Sequence, residues 1–328
     1  MKAFLYEKYG LPDVLEIREV ERPAPNANQV LIKVHAASVN ALDWHSLSAD
    51  IFLIRLMGGG LRKPKDPRLG TDLAGRVEAV GSNVTQFRPG DEVYGTGVGT
   101  FAEYAIAHES RLVLKPAAMK FEEAAAIPVA ALTALQGLRD SGHIQPGQKV
   151  LVYGAAGGVG TFAVQIAKSF GAEVTAVCGP GNMDQARAMG ADHVIDYTQK
   201  DFTRNGQRYD LILAVNGYYP IFAHRRALNP RGVYVLVGAS SAHLLRALLQ
   251  AMLLGPMLSK TGGQKLGFME VAKINQKDLT VMNELFEAGK VLPVIDRCYP
   301  LSETAEAIRY LEEGHAQGKV VIKVENTN

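Results

Sequence analysis

The feature that most constrains the fold of this chain is a glycine-rich turn between an apolar run and an amphipathic segment. Residues 149–182 read KVLVYGAAGGVGTFAVQIAKSFGAEVTAVCGPGN, with two β-rich apolar runs around a segment of helical spacing. The alternation continues through HVIDY, YDLILAVN and VYVLVG. Continuous apolar strands separated by amphipathic helices are typical of a parallel sheet covered on both faces. The sequence therefore predicts an α/β fold with a doubly wound parallel sheet.

The turn itself predicts a dinucleotide site. The segment 154–160, GAAGGVG, lies between a predicted strand and a predicted helix, where backbone amides and a helix N-terminus can approach a pyrophosphate. A phosphate loop of the P-loop type needs Lys followed by Ser or Thr after its last glycine, but Thr161 and Phe162 follow here. That alternative fails, whereas a purely structural turn stays open. The predicted amide donors to the pyrophosphate are Gly157, Gly158 and Val159.

The end of the second strand bears on which dinucleotide is bound. An NAD site usually has Asp or Glu there to hold the ribose 2′-hydroxyl. Here the strand ends VCGP at 177–180, and the first acid afterwards is Asp184. Because a 2′-phosphate meets no carboxylate at that point, NADP is favoured over NAD. Arg187 is a candidate partner for the phosphate and equally a candidate for an ordinary exposed helix charge.

Length and composition bound the class of protein. The 328 residues are enough for two packed domains, and the formal net charge of +2 argues against a dedicated nucleic-acid surface. Only Cys178 and Cys298 are present, so no disulfide framework can be built. The first residues, MKAFLYEKYG, lack the apolar block of a signal peptide and predict a first strand. We expect a cytoplasmic protein.

The segment 243–260, HLLRALLQAMLLGPMLSK, needs separate consideration as a membrane element. Its apolar runs are interrupted by Arg246, Gln250 and Pro256, well short of the roughly 20 residues that span a bilayer. Its leucines recur at helical spacing, which predicts a helix packed on a core or on a subunit interface. A peripheral membrane contact and a lid over an apolar substrate stay open as alternatives, and no transmembrane segment is predicted.

The regions before and after the alternating segment have a different pattern. The first 120 residues predict mainly strands and turns, and FEEAAAIPVAALTALQGLRD predicts two helices interrupted at Pro128. The last segment, LSETAEAIRYLEEGHAQGKVVIKV, predicts a helix capped by Ser302 and then a final strand.

Several of these stretches together resemble one enzyme family. GAAGGVGTFAVQIAK, GTDLAGRVEAVG, PGDEVYG and YPLSETAEAIRYLEEGHAQGKVVI resemble the medium-chain dehydrogenase/reductase superfamily, and within it the zinc-free quinone oxidoreductase-like branch. The resemblance covers essentially the whole chain. It implies a GroES-like β-barrel domain built from residues 1–122 and 266–328, with a Rossmann NADP-binding domain at 123–265 inserted between them.

The resemblance also bears on zinc. Zinc members carry Cys near the segment ASVNALDWH and Gly-His-Glu where this chain has Gly70, Thr71 and Asp72. Zinc sites are built from Cys, His and carboxylate sets, so we expect no metal. Without a Lewis acid, alcohol oxidation loses its main catalytic aid, and quinones and enones become the better hydride acceptors.

The implied function is an NADPH-dependent oxidoreductase that transfers hydride to quinones or α,β-unsaturated carbonyls. Two alternatives stay open: an enoyl-thioester reductase, and a nucleotide-binding regulatory or structural protein with little turnover. An enoyl-thioester reductase needs a well-placed Tyr proton donor, and SVNALDWHSLSAD contains none. A homodimer is expected, with an edge strand near QKLGFMEVA pairing with its twin.

The resemblance assigns candidate site residues one by one. Asn40 matches a characteristic Asn of the substrate site, whose amide can donate to substrate oxygen or the nicotinamide ribose; a role limited to completing a turn is the alternative. His45 stands where related enone reductases often have Lys, and an imidazole can donate a hydrogen bond or a proton near neutral pH; an ordinary packed side chain is the alternative. The residues of the predicted cofactor site are Thr133, Gly157, Gly158, Val159, Cys178, Gly179, Asn182, Tyr197, Asn216, Val237 and Gly238.

Overall fold

The computed structural model describes residues 1–49, 60–215, 219–239 and 241–324. The chain divides into two compact units. The first unit comprises residues 1–130, 273–287 and 293–328, and the second comprises residues 131–272 and 288–292. The domain boundaries inferred from the sequence, after residues 122 and 265, remain a prediction.

The strands in the described part of the chain are β1 (Lys2–Leu5), β2 (Glu16–Glu19), β3 (Gln29–Val39), β4 (Asp72–Val80), β5 (Glu92–Thr96), β6 (Tyr104–His108), β7 (Leu112–Leu114), β8 (Lys149–Tyr153), β9 (Glu173–Cys178), β10 (His193–Asp196), β11 (Tyr209–Ala214), β12 (Leu228–Leu236), β13 (Lys265–Phe268), β14 (Ile295–Pro300) and β15 (Lys319–Lys323). The predicted first strand is confirmed as β1.

The α-helices in the same part are α1 (Ala41–Ser48), α2 (Phe121–Ala125), α3 (Pro128–Gln136), α4 (Gly158–Ser169), α5 (Met183–Ala188), α6 (Ile221–Ala227), α7 (Ser241–Leu249), α8 (Gly255–Gly262), α9 (Gln276–Glu287) and α10 (Thr304–Glu312). Two π-helical segments, Gly137–Ser141 and Gln250–Leu254, continue α3 and α7.

The first unit is organised around β3. This 11-residue strand pairs with β4 along one edge. Its other edge is shared, since Gln29–Lys33 pair with β6 and Ala36–Val39 pair with the last strand, β15. Two register shifts in the β3–β4 ladder bend the strand, as bulges do. The alternating side chains of β3 that face inward, among them Val30, Ile32 and Val34, are fully buried in the core of the unit.

The second unit is a six-stranded parallel sheet in the order β10-β9-β8-β11-β12-β13. Numbered from its first strand, this order is 3-2-1-4-5-6, the order of the Rossmann fold. The order reverses between β8 and β11, and ligands of such sheets bind beyond the carboxyl ends of the strands at that point. The predicted doubly wound parallel sheet is confirmed, and β13 is one of its two edge strands, with β10 at the other edge.

Local sequence signals place several helix boundaries. Pro128 is the first residue of α3, where the missing N–H of proline costs nothing, so the predicted interruption between two helices is confirmed. The predicted cap at Ser302 is wrong. Ser302 lies inside the 3₁₀ turn Leu301–Glu303, and Glu303 precedes α10 without a side-chain capping bond. Thr304 Oγ1 donates to Leu301 O at 2.8 Å, which tightens this turn instead.

No described helix is both long and apolar enough to cross a membrane. The segment 243–260 lies within α7, the second π-helical segment and α8.

Candidate functional site

The glycine turn of the second unit has the geometry that its sequence predicts. Gly154, directly after β8, has φ +84°, a conformation that glycine adopts without strain. At Gly160 the helix passes so close to the turn that an added Cβ would lie 2.0 Å from Gly154 O. These two glycines therefore make the tight turn and the close strand–helix approach that the dinucleotide fingerprint requires.

The N-terminus of α4 is open to a ligand. The helix begins at Gly158, and its N-cap residue Gly157 has no side chain to satisfy the first N–H groups, which lack intrahelical acceptors. A Cβ added at Gly157 would lie 4.0 Å from its nearest neighbour, Gly154 O, so there is space for a ligand there. The amides of Gly157, Gly158 and Val159 thus form an anion-binding N-terminus.

The carboxyl ends of β9 and β10 bring two predicted residues together. Tyr197 N donates to Cys178 O at 3.2 Å, and the Tyr197 ring covers Gly179, with its ring atoms 3.6 Å from an added Cβ. Cys178 is buried, and burial raises the pKa of its thiol. Cys178 therefore contributes shape and backbone rather than a reactive thiolate.

Asn182 and Arg187 lie just beyond β9. Asn182 Oδ1 is buried and has no hydrogen-bond partner among the described residues. An orphaned buried acceptor at this edge suits a hydroxyl donor such as a ribose. Arg187 Nη1 contacts Asp184 Oδ1 at 2.7 Å, so the cation next to the β9 end already has a carboxylate partner.

The ends of β11 and β12 meet at one carbonyl. Val237 N and Gly238 N donate to Ala214 O at 2.8 and 3.3 Å. Both residues follow β12 on the carboxyl side of the sheet, where the predicted nicotinamide site lies. Thr133 is half-buried on α3. Asn216, also predicted for this site, lies outside the described residues.

In the first unit, Asn40 lies in a buried network. Its Nδ2 donates to Asp72 Oδ2 at 2.9 Å and to Ser38 O at 3.4 Å, and its Oδ1 accepts from Lys319 Nζ at 2.7 Å. We call Ser38, Asn40, Asp43, Asp72 and Lys319 the Asp72 cluster. Since both polar ends of the Asn40 amide have partners, a hydrogen bond from Asn40 to substrate would have to replace one of them.

The carboxylate of Asp72 is in close contact with an ammonium group and with hydrogen-bond donors. Lys319 Nζ lies 3.5 Å from Asp72 Oδ2 and donates to Val39 O at 3.1 Å, and both side chains are almost fully buried. Ser38 Oγ donates to Asp72 Oδ2 at 2.8 Å, and Val129 N donates to Asp72 Oδ1 at 3.1 Å. Burial lowers the pKa of Lys319, while the nearby carboxylates oppose that change.

Asp43 holds the start of α1. Its Oδ2 accepts from Asn40 N at 2.8 Å, which fixes the backbone where the candidate residues begin. Burial, with Asp72 nearby, raises the pKa of Asp43 to about 7, while hydrogen bonds and Lys319 oppose the rise. Its contacts are those of a structural carboxylate.

His45 is half-buried near the end of α1, and its backbone carbonyl accepts from Ala49 N at 3.0 Å. Its neighbour Trp44 is buried, with an indole N–H that has no acceptor among the described residues. Asn40 is the N-cap residue of α1, and His45 lies five residues further along the same short helix.

The residues at the Asp72 cluster do not fit a metal ion. In the described part of the chain, no group of three His, Cys, Asp or Glu side chains is arranged to hold one. The ammonium of Lys319 already lies against Asp72, the residue that stands where zinc members have Glu. The imidazole of His35, another side chain of a type that binds zinc, stacks on the ring of Phe121, with ring centroids 4.4 Å apart.

Two notable groups were not found from the sequence. Lys319 is 279 positions from Asn40, and the run GKVVIK predicts a strand without indicating that its first lysine is buried. His224 is buried in the second unit and stacks on Tyr234, with centroids 4.3 Å apart. Neither residue belongs to a recognisable local motif.

The fold and these sites define a two-domain dinucleotide-dependent oxidoreductase architecture. Two family models match the chain. The alcohol dehydrogenase GroES-like domain matches residues 26–117, and the zinc-binding dehydrogenase model matches residues 189–322.

Relatives of known name match nearly the whole chain. The 2-methylene-furan-3-one reductase of Solanum lycopersicum is 36% identical and covers 98% of this chain and 79% of its own. A chloroplastic quinone oxidoreductase of Triphysaria versicolor is 32% identical and covers 98% of each. The structure of Escherichia coli quinone oxidoreductase complexed with NADPH has a TM-score of 0.84 and 27% identity, over 98% of this chain and 100% of that one. The chain belongs to the quinone oxidoreductase-like branch of the medium-chain dehydrogenase/reductase superfamily, and so to the NAD(P)H-dependent oxidoreductases.

Proposed function

We propose that this protein is a zinc-independent, NADPH-dependent reductase that transfers hydride to quinones or α,β-unsaturated carbonyls. The observation that carries the proposal is the ammonium of Lys319 against Asp72, which directly follows Thr71, the position where zinc members of the superfamily carry His. A site without a Lewis acid favours acceptors that take hydride at carbon and delocalise the charge onto oxygen. The names of the tomato furanone reductase and the plant quinone oxidoreductase support the same two acceptor classes.

The chain's own groups fit a nicotinamide dinucleotide. Bound NADPH supplies the hydride. The open N-terminus of α4 would hold the pyrophosphate through the amides of Gly157, Gly158 and Val159. The remaining predicted contacts are proposed as follows: Cys178, Gly179, Asn182 and Tyr197 with the adenosine ribose, and Thr133, Asn216, Val237 and Gly238 with the nicotinamide half.

The preference for NADPH over NADH rests on the end of β9. No carboxylate stands at 178–182 to accept the ribose 2′-hydroxyl. Tyr197 covers Gly179 and can donate its phenol to a 2′-phosphate. Arg187 is the proposed cation, and its bond to Asp184 would have to exchange for the phosphate.

Asn40 and His45 are the proposed catalytic residues. The Asp72 cluster fixes the Asn40 amide from both sides, so its orientation is set before substrate binds. His45 is proposed to donate to the substrate oxygen and to deliver a proton to it after hydride transfer.

The assay that tests the proposal follows oxidation of NADPH, and separately NADH, with a panel of quinones, short and long enones and an enoyl thioester. We expect fast NADPH consumption with quinones or enones and slower consumption with NADH. His45→Ala should lower kcat about 10²–10⁴-fold if His45 is the proton donor. The matched control is the exposed His315→Ala, which should retain full activity.

Two results contradict the proposal. Turnover only with the enoyl thioester would favour the thioester reductase, and tight NADPH binding without turnover on any acceptor would favour a regulatory or structural protein. Zinc content, measured by metal analysis of the purified active protein, tests the metal independence directly.

We further propose a cytoplasmic homodimer in which the edge strand β13 pairs with its twin. An antiparallel pair of edge strands removes two unpaired edges at once. Light scattering of the purified protein tests the dimer, and a monomer mass at micromolar concentration would contradict it.

A further inference from the structure

A helical segment of the second unit exposes its large apolar side chains. α7, the π-helical segment Gln250–Leu254 and α8 follow one another without a break over residues 241–262. Five large side chains on it are between 48% and 66% exposed. They are Leu245, Leu249, Met252, Leu253 and Met257. Their spacing of four, three, one and four residues places them along one side of the helix, and we call them the apolar stripe.

The opposite side of the same segment faces its own unit. Ala247 and Ala251 are buried, and a Cβ added at Gly255 would lie 2.4 Å from Leu266 O of β13. Three half-buried leucines, Leu248, Leu254 and Leu258, also pack against the core of the unit. The segment is therefore apolar on both sides. A surface helix normally has a polar outer side, so the exposed Leu and Met side chains indicate that the apolar stripe has a partner.

The apolar stripe also borders a groove. Its volume is about 390 Å³, and it is lined by Leu245, Arg246, Leu249, Gln250, Leu253 and Leu254. The lining is almost entirely aliphatic, so an occupant of matching chemistry is aliphatic as well.

The charge of this region indicates what the partner is. Residues 211–269 contain no Asp or Glu. They contain six cationic residues: Arg225, Arg226, Arg231, Arg246, Lys260 and Lys265. Because the whole chain has a formal charge of only +2, the rest of the chain is net acidic. Cationic and apolar character are therefore concentrated in the same part of the sequence.

We propose that the apolar stripe docks on an anionic lipid bilayer, with the segment 241–262 lying in the plane of the headgroups. Apolar side chains of such helices enter the acyl boundary, and nearby Lys and Arg residues are attracted to anionic headgroups. A second copy of the chain fits less well. A two-fold interface sets each patch against itself, and this region has no carboxylate to pair with its own cations.

The test is co-sedimentation of the full chain with vesicles, which needs no turnover and is independent of the hydride acceptor. One vesicle preparation is phosphatidylcholine alone, and the other contains about 30% phosphatidylglycerol. We expect about fivefold or greater enrichment on the anionic vesicles, and loss of most of it at about 0.5 M salt. Binding to neither preparation would overturn the proposal.

Charged substitutions in the apolar stripe localise the contact. Leu245→Glu and Leu249→Glu should each reduce vesicle binding about tenfold, since each buries a carboxylate and repels anionic lipid. Leu11→Glu is the matched control, because Leu11 and Leu245 are both 60% exposed and Leu11 belongs to the first unit. Equal losses from Leu11→Glu and Leu245→Glu would overturn the assignment.

Light scattering of the same variants distinguishes a lipid bilayer from a second copy of the chain as the partner of the apolar stripe. If Leu245→Glu converts a wild-type dimer to a monomer, then the apolar stripe is a contact between two copies and the proposal is wrong. If the variant keeps the wild-type mass, its thermal transition and its NADPH binding but loses vesicle binding, the proposal stands.

Discussion

The two polar centres of this protein are built in opposite ways. The glycine turn of the second unit is made of backbone from seven consecutive residues, and it leaves the N–H groups at the start of α4 open. The Asp72 cluster of the first unit is made of side chains from distant parts of the chain, and its described members satisfy one another. The turn is thus ready for a ligand, whereas the cluster is a preorganised support for the residues beside it. The difference predicts that the two centres respond differently to substitution.

The largest expected effect is in the Asp72 cluster. Lys319→Met keeps the length of the side chain but leaves Asp72 buried without its cation, and breaking such a pair costs about 3–5 kcal/mol of unfolding free energy. The loss should be greater at pH 8 than at pH 5, because Lys319 also offsets the charge of Asp43, whose pKa burial raises to about 7, and Asp43 is largely neutral at pH 5. Urea denaturation at both pH values measures it.

Lys319→Met combined with Asp72→Asn provides the control for that prediction. The double variant removes both charges, so it should recover part of the lost free energy. If it is no more stable than Lys319→Met alone, then packing of the lysine stem rather than charge holds the cluster together.

The next effect is in the glycine turn. Gly160→Ala places a methyl group 2.0 Å from Gly154 O, so the turn and α4 must move apart, at a cost of about 1–3 kcal/mol or more. Gly157→Ala is the matched variant, since the added methyl group would lie 4.0 Å from its nearest neighbour and φ is −76°. It should change stability little and still weaken NADPH binding, because the methyl group occupies space beside the amides proposed to hold the pyrophosphate. Thermal melts and fluorescence titration with NADPH separate the two effects.

Two outcomes would contradict the description of the turn. If Gly160→Ala melts like the wild type, then α4 does not depend on the close approach. If Gly157→Ala binds NADPH with unchanged affinity, then the pyrophosphate does not lie over this residue.

The smallest effect at neutral pH concerns His224, whose ring is buried among aromatic side chains, with Phe202 and Tyr234 beside it. Burial lowers its pKa to about 3, from the ordinary value of 6.5. The stability contributed by the neutral imidazole is complete above pH 6.5 and is lost as the pH falls toward 3, by about 1.4 kcal/mol per pH unit. His224→Phe preserves stacking on Tyr234 and should be close to wild type at pH 7 but relatively more stable at pH 4 to 5. Parallel curves of unfolding free energy against pH would contradict this.

The contrast between a turn of consecutive residues and a cluster of distant side chains also explains how much the sequence could predict. The strands and helices around GAAGGVG, and the parallel sheet itself, were predictable because their signals are local and periodic. The cap at Ser302 was predicted wrongly, because a Ser before Glu is only a local preference and the chain instead forms a 3₁₀ turn closed by Thr304. Lys319 could not be foreseen, since only the pairing of β15 with β3 brings it to Asn40. The roles of Asn40 and His45 remain predictions for the same reason.

The shared edge of β3 has a consequence for how the protein is made. During synthesis, all six strands of the second unit's sheet have been produced once the ribosome passes residue 268. The edge at Ala36–Val39 has to wait for β15, which begins at residue 319, and until then it is an open edge of the kind that chaperones protect. Because β15 also brings Lys319, a nascent chain that ends before this strand has Asp72 without its ammonium partner. Completion of the Asp72 cluster therefore marks a chain whose translation has passed β15.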